Sequence, residues 1–180
     1  MNTLQVLDKQ FVPFLTEAVI QQRITELADA INQDYQNLNP LFIGILNGSF
    51  MFAADLYKQI SLPSSISFIK LVSYKGTSST GTVITSIGLE EHIQDRHIIL
   101  VEDIVDTGKT LSEFIPVLQK QAPASIAICT LLHKPEALKH PLEIKYTGFN
   151  IPNKFVVGYG LDYDGFGRNS REIFQLAEAE

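Results

Sequence analysis

Tryptophan is absent from the 180 residues, and cysteine occurs once, at Cys129. A lone cysteine excludes an intramolecular disulfide and argues against a cysteine-based zinc site. Set in the apolar run SIAICTLL, it is expected to be a buried thiol. Positive charge is also scarce: 14 Lys and Arg stand against 20 Asp and Glu, for a net charge of -6. Neither nucleic acid nor an anionic membrane attracts such a chain, so neither is expected as a partner. No apolar run approaches the roughly 18 residues of a membrane span. The N-terminus, MNTLQVLDKQFVPF, lacks the basic segment and long apolar core of a secretion signal, so the expected location is the cytoplasm. With 45% apolar and 19% charged residues, the chain is expected to form one globular domain spanning 1–180.

What is present is an alternation of short apolar runs and helical periodicities. Residues 15–35 place Val19, Ile20, Ile24, Leu27, Ala28 and Ile31 at helical spacing, with Thr16 as the N-cap. PLFIGIL (40–46) reads as a buried strand ending in Asn47-Gly48-Ser49, and FMFAADLYKQI as the helix after it. SISFIKLVSYK (65–75) and VITSIGL (83–89) form a hairpin around the small, polar GTSSTGT (76–82). HIILVED is the next strand, TLSEFIPVLQKQ the next helix, and SIAICTLLHK and KFVVGYGLDYD two further strands. Such alternation predicts an α/β fold with a mainly parallel sheet, whose ligands sit beyond the carboxyl ends of the strands.

The polar residues at those ends carry the chemistry. In VEDIVDTGKTL (101–111), an apolar strand runs into Glu102 and Asp103, then into a loop of Asp106, Thr107, Gly108, Lys109 and Thr110. Backbone N–H groups and hydroxyls at a helix N-terminus make a cradle for one phosphate. Carboxylates so close to a phosphate need a purpose, either accepting hydrogen bonds from sugar hydroxyls or holding a Mg²⁺ that bridges to the ligand. A phosphorylated sugar answers both. The P-loop motif is excluded, because Asp103 stands where its first glycine belongs. The dinucleotide fingerprint fails at Tyr163, and His92, His97, His133 and His140 have no close metal-ligand spacing.

Taken together, these segments resemble the type I phosphoribosyltransferases, and their hypoxanthine-guanine branch in particular. VEDIVDTGKTL resembles the family's signature for phosphoribosyl pyrophosphate (PRPP), ILNGSFMF its pyrophosphate loop, and SYKGTSSTG its mobile loop. LLHKP resembles its purine-contact lysine segment, and KFVVGYGLDYDGFGR its base-binding strand and arginine loop. All five follow family order across almost the whole chain. The resemblance implies a parallel sheet flanked by helices, a small hood and a mobile hairpin.

It also implies a reaction, in which a purine displaces pyrophosphate from PRPP to give a nucleoside monophosphate such as IMP or GMP. By resemblance, residues 106–110 hold the 5′-phosphate, while Glu102 and Asp103 bind the ribose hydroxyls and, with Asp162, orient Mg²⁺. Asp106 is the implied general base; an N-cap aspartate is the alternative. Lys134 is the implied partner of the purine 6-oxo group rather than a surface lysine. Phe155 is the implied stacking residue rather than a core residue, with the Val156 backbone and Asp162 beside the base. Asn47, Gly48, Ser49 and Arg168 hold pyrophosphate, and Ser73 and Tyr74 root the mobile loop. Asn47 departs from the family, where Lys or Arg is usual. Homodimers or homotetramers are also implied. A non-catalytic PRPP-sensing regulator is the competing reading, disfavoured by the acidic charge and the lack of a spare domain.

Overall fold

A computed structural model describes residues 3–75 and 82–178; for residues 72–75 and 82–87 it describes the backbone. Two sheets are formed. The larger has six strands: β3 (Leu41–Leu46), β4 (Ser65–Lys75), β5 (Thr82–Ile87), β6 (His97–Val105), β7 (Ser125–His133) and β8 (Tyr146–Asn150). Their spatial order is β5-β4-β3-β6-β7-β8, all parallel except β5, which pairs antiparallel with β4. The GTSSTGT loop expected between β4 and β5 lies outside the described residues over 76–81.

Period-2 alternation divides the core between the two faces of this sheet. Phe42, Ile99, Val101, Ala127, Cys129 and Leu131 pack under helices α1 (Glu17–Asp34) and α2 (Phe50–Lys58). Leu41, Ile43, Ile45, Ile98, Leu100 and Ile128 pack under α3 (Lys109–Gln119) through Leu111, Phe114 and Leu118. Cys129 is a fully buried free thiol, as expected, and burial pushes its pKa up. Thr16 caps α1 by accepting from Val19 N–H, but Val19 itself is 47% exposed, so the buried stripe is Ile20, Ile24, Leu27, Ala28 and Ile31. No helix among the described residues is long and apolar enough to cross a membrane.

The second sheet is the implied hood: β1 (Leu4–Val6), β2 (Lys9–Leu15), β9 (Val156–Val157) and β10 (Ile173–Leu176), in the order β1-β2-β10-β9. It joins the two ends of the chain around Val6, Phe11, Val157 and Phe174. Here the structure corrects one sequence expectation. KFVVGYGLDYD is not a long strand; extension stops after Val157, because Gly158, Tyr159 and Gly160 all take positive φ (97°, 50° and 99°). Short bridges, Gly158 with Leu161 and Tyr163 with Phe166, replace it.

Candidate active site

From β3 the chain steps to β4 on one side, whereas β6, β7 and β8 continue on the other. The carboxyl ends of β3 and β6 therefore flank the switch point, where open α/β sheets bind ligands. The loop after β3 carries Asn47, Gly48 and Ser49, and the loop after β6 carries Asp106, Thr107 and Gly108.

The strand β6 contains Glu102 and Asp103, as HIILVED predicts, and runs two residues further, to Val105. Side-chain alternation then sends the neighbouring carboxylates to opposite faces. Asp103 continues the Ile99–Val101 face and meets the loop after β3. A Cβ on Gly48 would overlap Asp103 Oδ2, so only glycine allows this approach. Glu102 continues the Ile98–Leu100 face and, with residues 104–111, lines a small pocket of about 100 Å³. Burial, and then the nearby Asp103, push the Glu102 carboxyl well above its usual range. Burial also pushes Asp103 up to about 6, against the opposing pull of the Ile104 N–H and Arg168. Glu102 Oε2 is buried with no hydrogen-bond partner, and so is Ser49 Oγ.

That small pocket lies where a phosphate cradle is expected from the sequence. Gly108, at φ 76°, turns the chain into α3 as its N-cap and offers no side chain to cap the helix donors. A Cβ there would come within 2.6 Å of the His140 carbonyl. The loop is braced from behind, where Lys139 and His140 N–H groups donate to the Thr107 carbonyl. Thr107 Oγ1 accepts from Lys109 N–H, and Lys109 and Thr110, both exposed, open the helix. Asp106 is not the N-cap. Its Oδ2 instead accepts from Lys134 Nζ at 3.2 Å. Lys134, only 6% exposed, is no surface lysine; it sits just past β7, and its N–H donates to the Val105 carbonyl.

Across the crevice, Phe155 is 44% exposed, so it is not a core residue. Its ring meets Tyr163 edge-on at 5.8 Å and Phe11 at 6.2 Å, while Val156 is buried beside it. Arg168 Nη2 pairs with Asp162 Oδ1 at 2.8 Å, and its Nη1 donates to the Gly160 carbonyl at 2.6 Å. Asp162 Oδ2 accepts from Gly165 N–H. Gly160 in turn packs on the loop after β3, since a Cβ there would overlap the Gly48 carbonyl. Ser73 and Tyr74 lie on β4 opposite Ile84 and Val83, and their side chains fall outside the described residues. The Gly160 turn and the Tyr163–Phe11 support were not read from the sequence. The pair of glycines around Tyr159 was the available signal for the turn.

The profile of the phosphoribosyl transferase domain matches residues 15–164. The chain belongs to the phosphoribosyltransferase family. It is therefore a transferase with the type I phosphoribosyltransferase fold. It is 44% identical over 157 residues to the hypoxanthine-guanine phosphoribosyltransferase of Mycobacterium tuberculosis H37Rv, covering 83% of this chain and 78% of that protein. It is 40% identical to the Dictyostelium discoideum enzyme of the same name over 168 residues, 91% of this chain and 92% of the relative. Among solved structures, the Staphylococcus aureus hypoxanthine phosphoribosyltransferase superposes with a TM-score of 0.85 at 39% identity, over 92% of this chain and 91% of the other. These relatives place the family's reaction, phosphoribosyl transfer in purine salvage, on this fold.

Proposed function

We propose that this transferase moves the 5-phosphoribosyl group of PRPP to the 6-oxopurines hypoxanthine and guanine, releasing pyrophosphate and IMP or GMP. The observation that carries this reading is the Lys134–Asp106 pair, a buried cation joined to a carboxylate at the mouth of the phosphate cradle. A cation there offers donors only. It suits the carbonyl of a 6-oxopurine and disfavours the amino group of adenine. In this reading the purine nitrogen attacks C1′ and the bond to pyrophosphate breaks, the leaving group taking the electron pair. Asp106 handles the proton at purine N7.

The sugar becomes oxocarbenium-like during the displacement, so water must be kept from it. The loop rooted at Ser73 and Tyr74 is proposed to supply that cover. Residues 106–110 hold the 5′-phosphate, and Glu102 and Asp103 the ribose hydroxyls. Phe155 stacks on the base beside the Val156 backbone. Asn47, Gly48, Ser49 and Arg168 receive pyrophosphate, and Asp162, the present partner of Arg168, would be the further carboxylate available to the metal. The described residues hold no cluster of three or more ligands able to cage a metal. Glu102, with its orphaned Oε2 on one face of β6, and Asp103, on the other face beside Gly48, are the carboxylates that would hold Mg²⁺, directly or through its waters. When bound, that ion neutralises charge building on pyrophosphate. A cytoplasmic homodimer or homotetramer is the proposed setting.

The test is a purine panel with PRPP and Mg²⁺, following nucleotide formation. Hypoxanthine and guanine should give product. Tight PRPP binding without product from either would instead favour the regulator.

A further inference from the structure

Behind the pyrophosphate side of the crevice lies a cluster that the reaction itself does not use. Helix α2 begins directly after the Asn47–Ser49 loop, and Asp55 sits about a turn and a half along it. Asp55 Oδ2 accepts from the Tyr159 hydroxyl at 2.5 Å and from Gln21 Nε2 at 2.7 Å, and Oδ1 pairs with Lys58 at 2.6 Å. Burial opposes the charge on Asp55, but these partners outweigh it and hold the carboxyl below its usual range. Tyr159 is buried and takes a left-handed backbone conformation that is unfavourable for a residue with a Cβ. A neighbouring constraint must hold it there. The next residue is Gly160, whose backbone presses on the Gly48 carbonyl and whose own carbonyl accepts from Arg168.

We infer that Tyr159 and Asp55 are positioning residues, pinning the Gly160 turn to α2 so that the Gly48 loop and Arg168 face one pyrophosphate together. One hydroxyl-to-carboxylate bond joins the helix that carries the first loop to the turn that orients the arginine. Neither residue contacts the reacting atoms. The inference rests on the pyrophosphate assignment above, and its test separates the two.

Tyr159→Phe removes a single oxygen and keeps the ring in the core. Two measurements are made on it and on Asp55→Asn, which still offers an acceptor oxygen. The first is amide exchange at Tyr159 and Gly160, whose N–H groups donate to the Ser170 and Arg168 carbonyls. A hydrogen bond to a charged group typically contributes enough to change a local opening equilibrium by about tenfold or more, so exchange in Tyr159→Phe should accelerate by on the order of tenfold. The second is pyrophosphate affinity by calorimetry beside the KM for hypoxanthine. Pyrophosphate should weaken by about tenfold while the purine KM moves far less, with Asp55→Asn recovering most of the loss. Unchanged exchange overturns the inference whatever the activity, and so does an equal loss for both ligands, which marks a merely structural role. A wild type that binds pyrophosphate but forms no nucleotide overturns the functional reading instead and leaves the positioning result standing.

Discussion

The two walls of the crevice are built by different means. The phosphate wall is one stretch of chain, β6 through the start of α3, and its cradle is made by consecutive residues at a helix N-terminus. The opposite wall is assembled from distant pieces. Phe155 rests on Phe11 and Tyr163, Tyr163 donates to Asp8, and the Gly160 turn sits on Gly48. The local wall is set by the backbone of one loop, turned at Gly108 and braced by the Lys139 and His140 N–H groups on the Thr107 carbonyl. A wall made of long-range contacts depends on each of them, since Arg168 is held by the Gly160 carbonyl and Asp162 by Arg168. The proposed reaction would use the first wall for the 5′-phosphate and, through Lys134, the purine 6-oxo group, and the second for base stacking and the leaving group.

The sharpest way to break this contrast is at Asp106, the carboxylate proposed above to handle the purine proton beside the cradle. Asp106→Asn keeps the cradle and an acceptor for Lys134 but removes the base. Turnover should fall by about 10²–10⁴, as general acid–base catalysis contributes, while PRPP binding changes far less. Steady-state turnover beside PRPP affinity checks this, and unchanged turnover at saturation removes Asp106 from the chemistry. A smaller effect is expected at Asn47, where the family's usual positive charge is missing. Asn47→Lys should tighten pyrophosphate inhibition by about tenfold, the lower end for a charge-assisted bond at an exposed position. Turnover need not rise, because a contact equally strong before and during reaction does not speed chemistry. A flat series of inhibition constants for Asn47, Asn47→Ala and Asn47→Lys would retire the charge argument and leave this loop to act through its backbone N–H groups.

The smallest effect concerns stability rather than rate. The Glu102 pKa is raised in the folded protein, so its ionisation opposes folding. Stability is complete below the unfolded pKa, near 4.5, and is lost as pH rises toward the folded value. Glu102→Gln should therefore melt a few degrees above the unliganded wild type at pH 7, with the gap closing as pH falls toward 4.5. A gap that is constant with pH would mean that Glu102 is not held against its charge.

The same division explains what could be read from the sequence. The cradle and the strands β3, β4, β6 and β7 were legible because apolar runs and turn residues lie side by side in the chain, whereas Lys134 stood out only through the family resemblance. The hood strand β2 was hidden by Pro13, which sits where the pairing with β10 slips register. The arrest of β9 depends on Tyr159 taking a conformation its own sequence disfavours, so KFVVGYGLDYD looked like a long strand. The opposite facing of Glu102 and Asp103 was implicit in HIILVED as a strand, whereas the extension of β6 through Ile104 and Val105 was masked by the two acids before them.

The central claim is that a buried cation on the phosphate side selects the base, and the most direct test is a ratio. Nucleotide formation from PRPP is measured with hypoxanthine and with adenine, on the wild type and on Lys134→Ala. Hypoxanthine should be strongly preferred by the wild type. Losing a hydrogen bond from a charged group should cut kcat/KM for hypoxanthine and guanine alike by about ten- to a hundredfold, collapsing the ratio. Efficient use of adenine by the wild type, or a ratio that survives the loss of Lys134, would contradict the account.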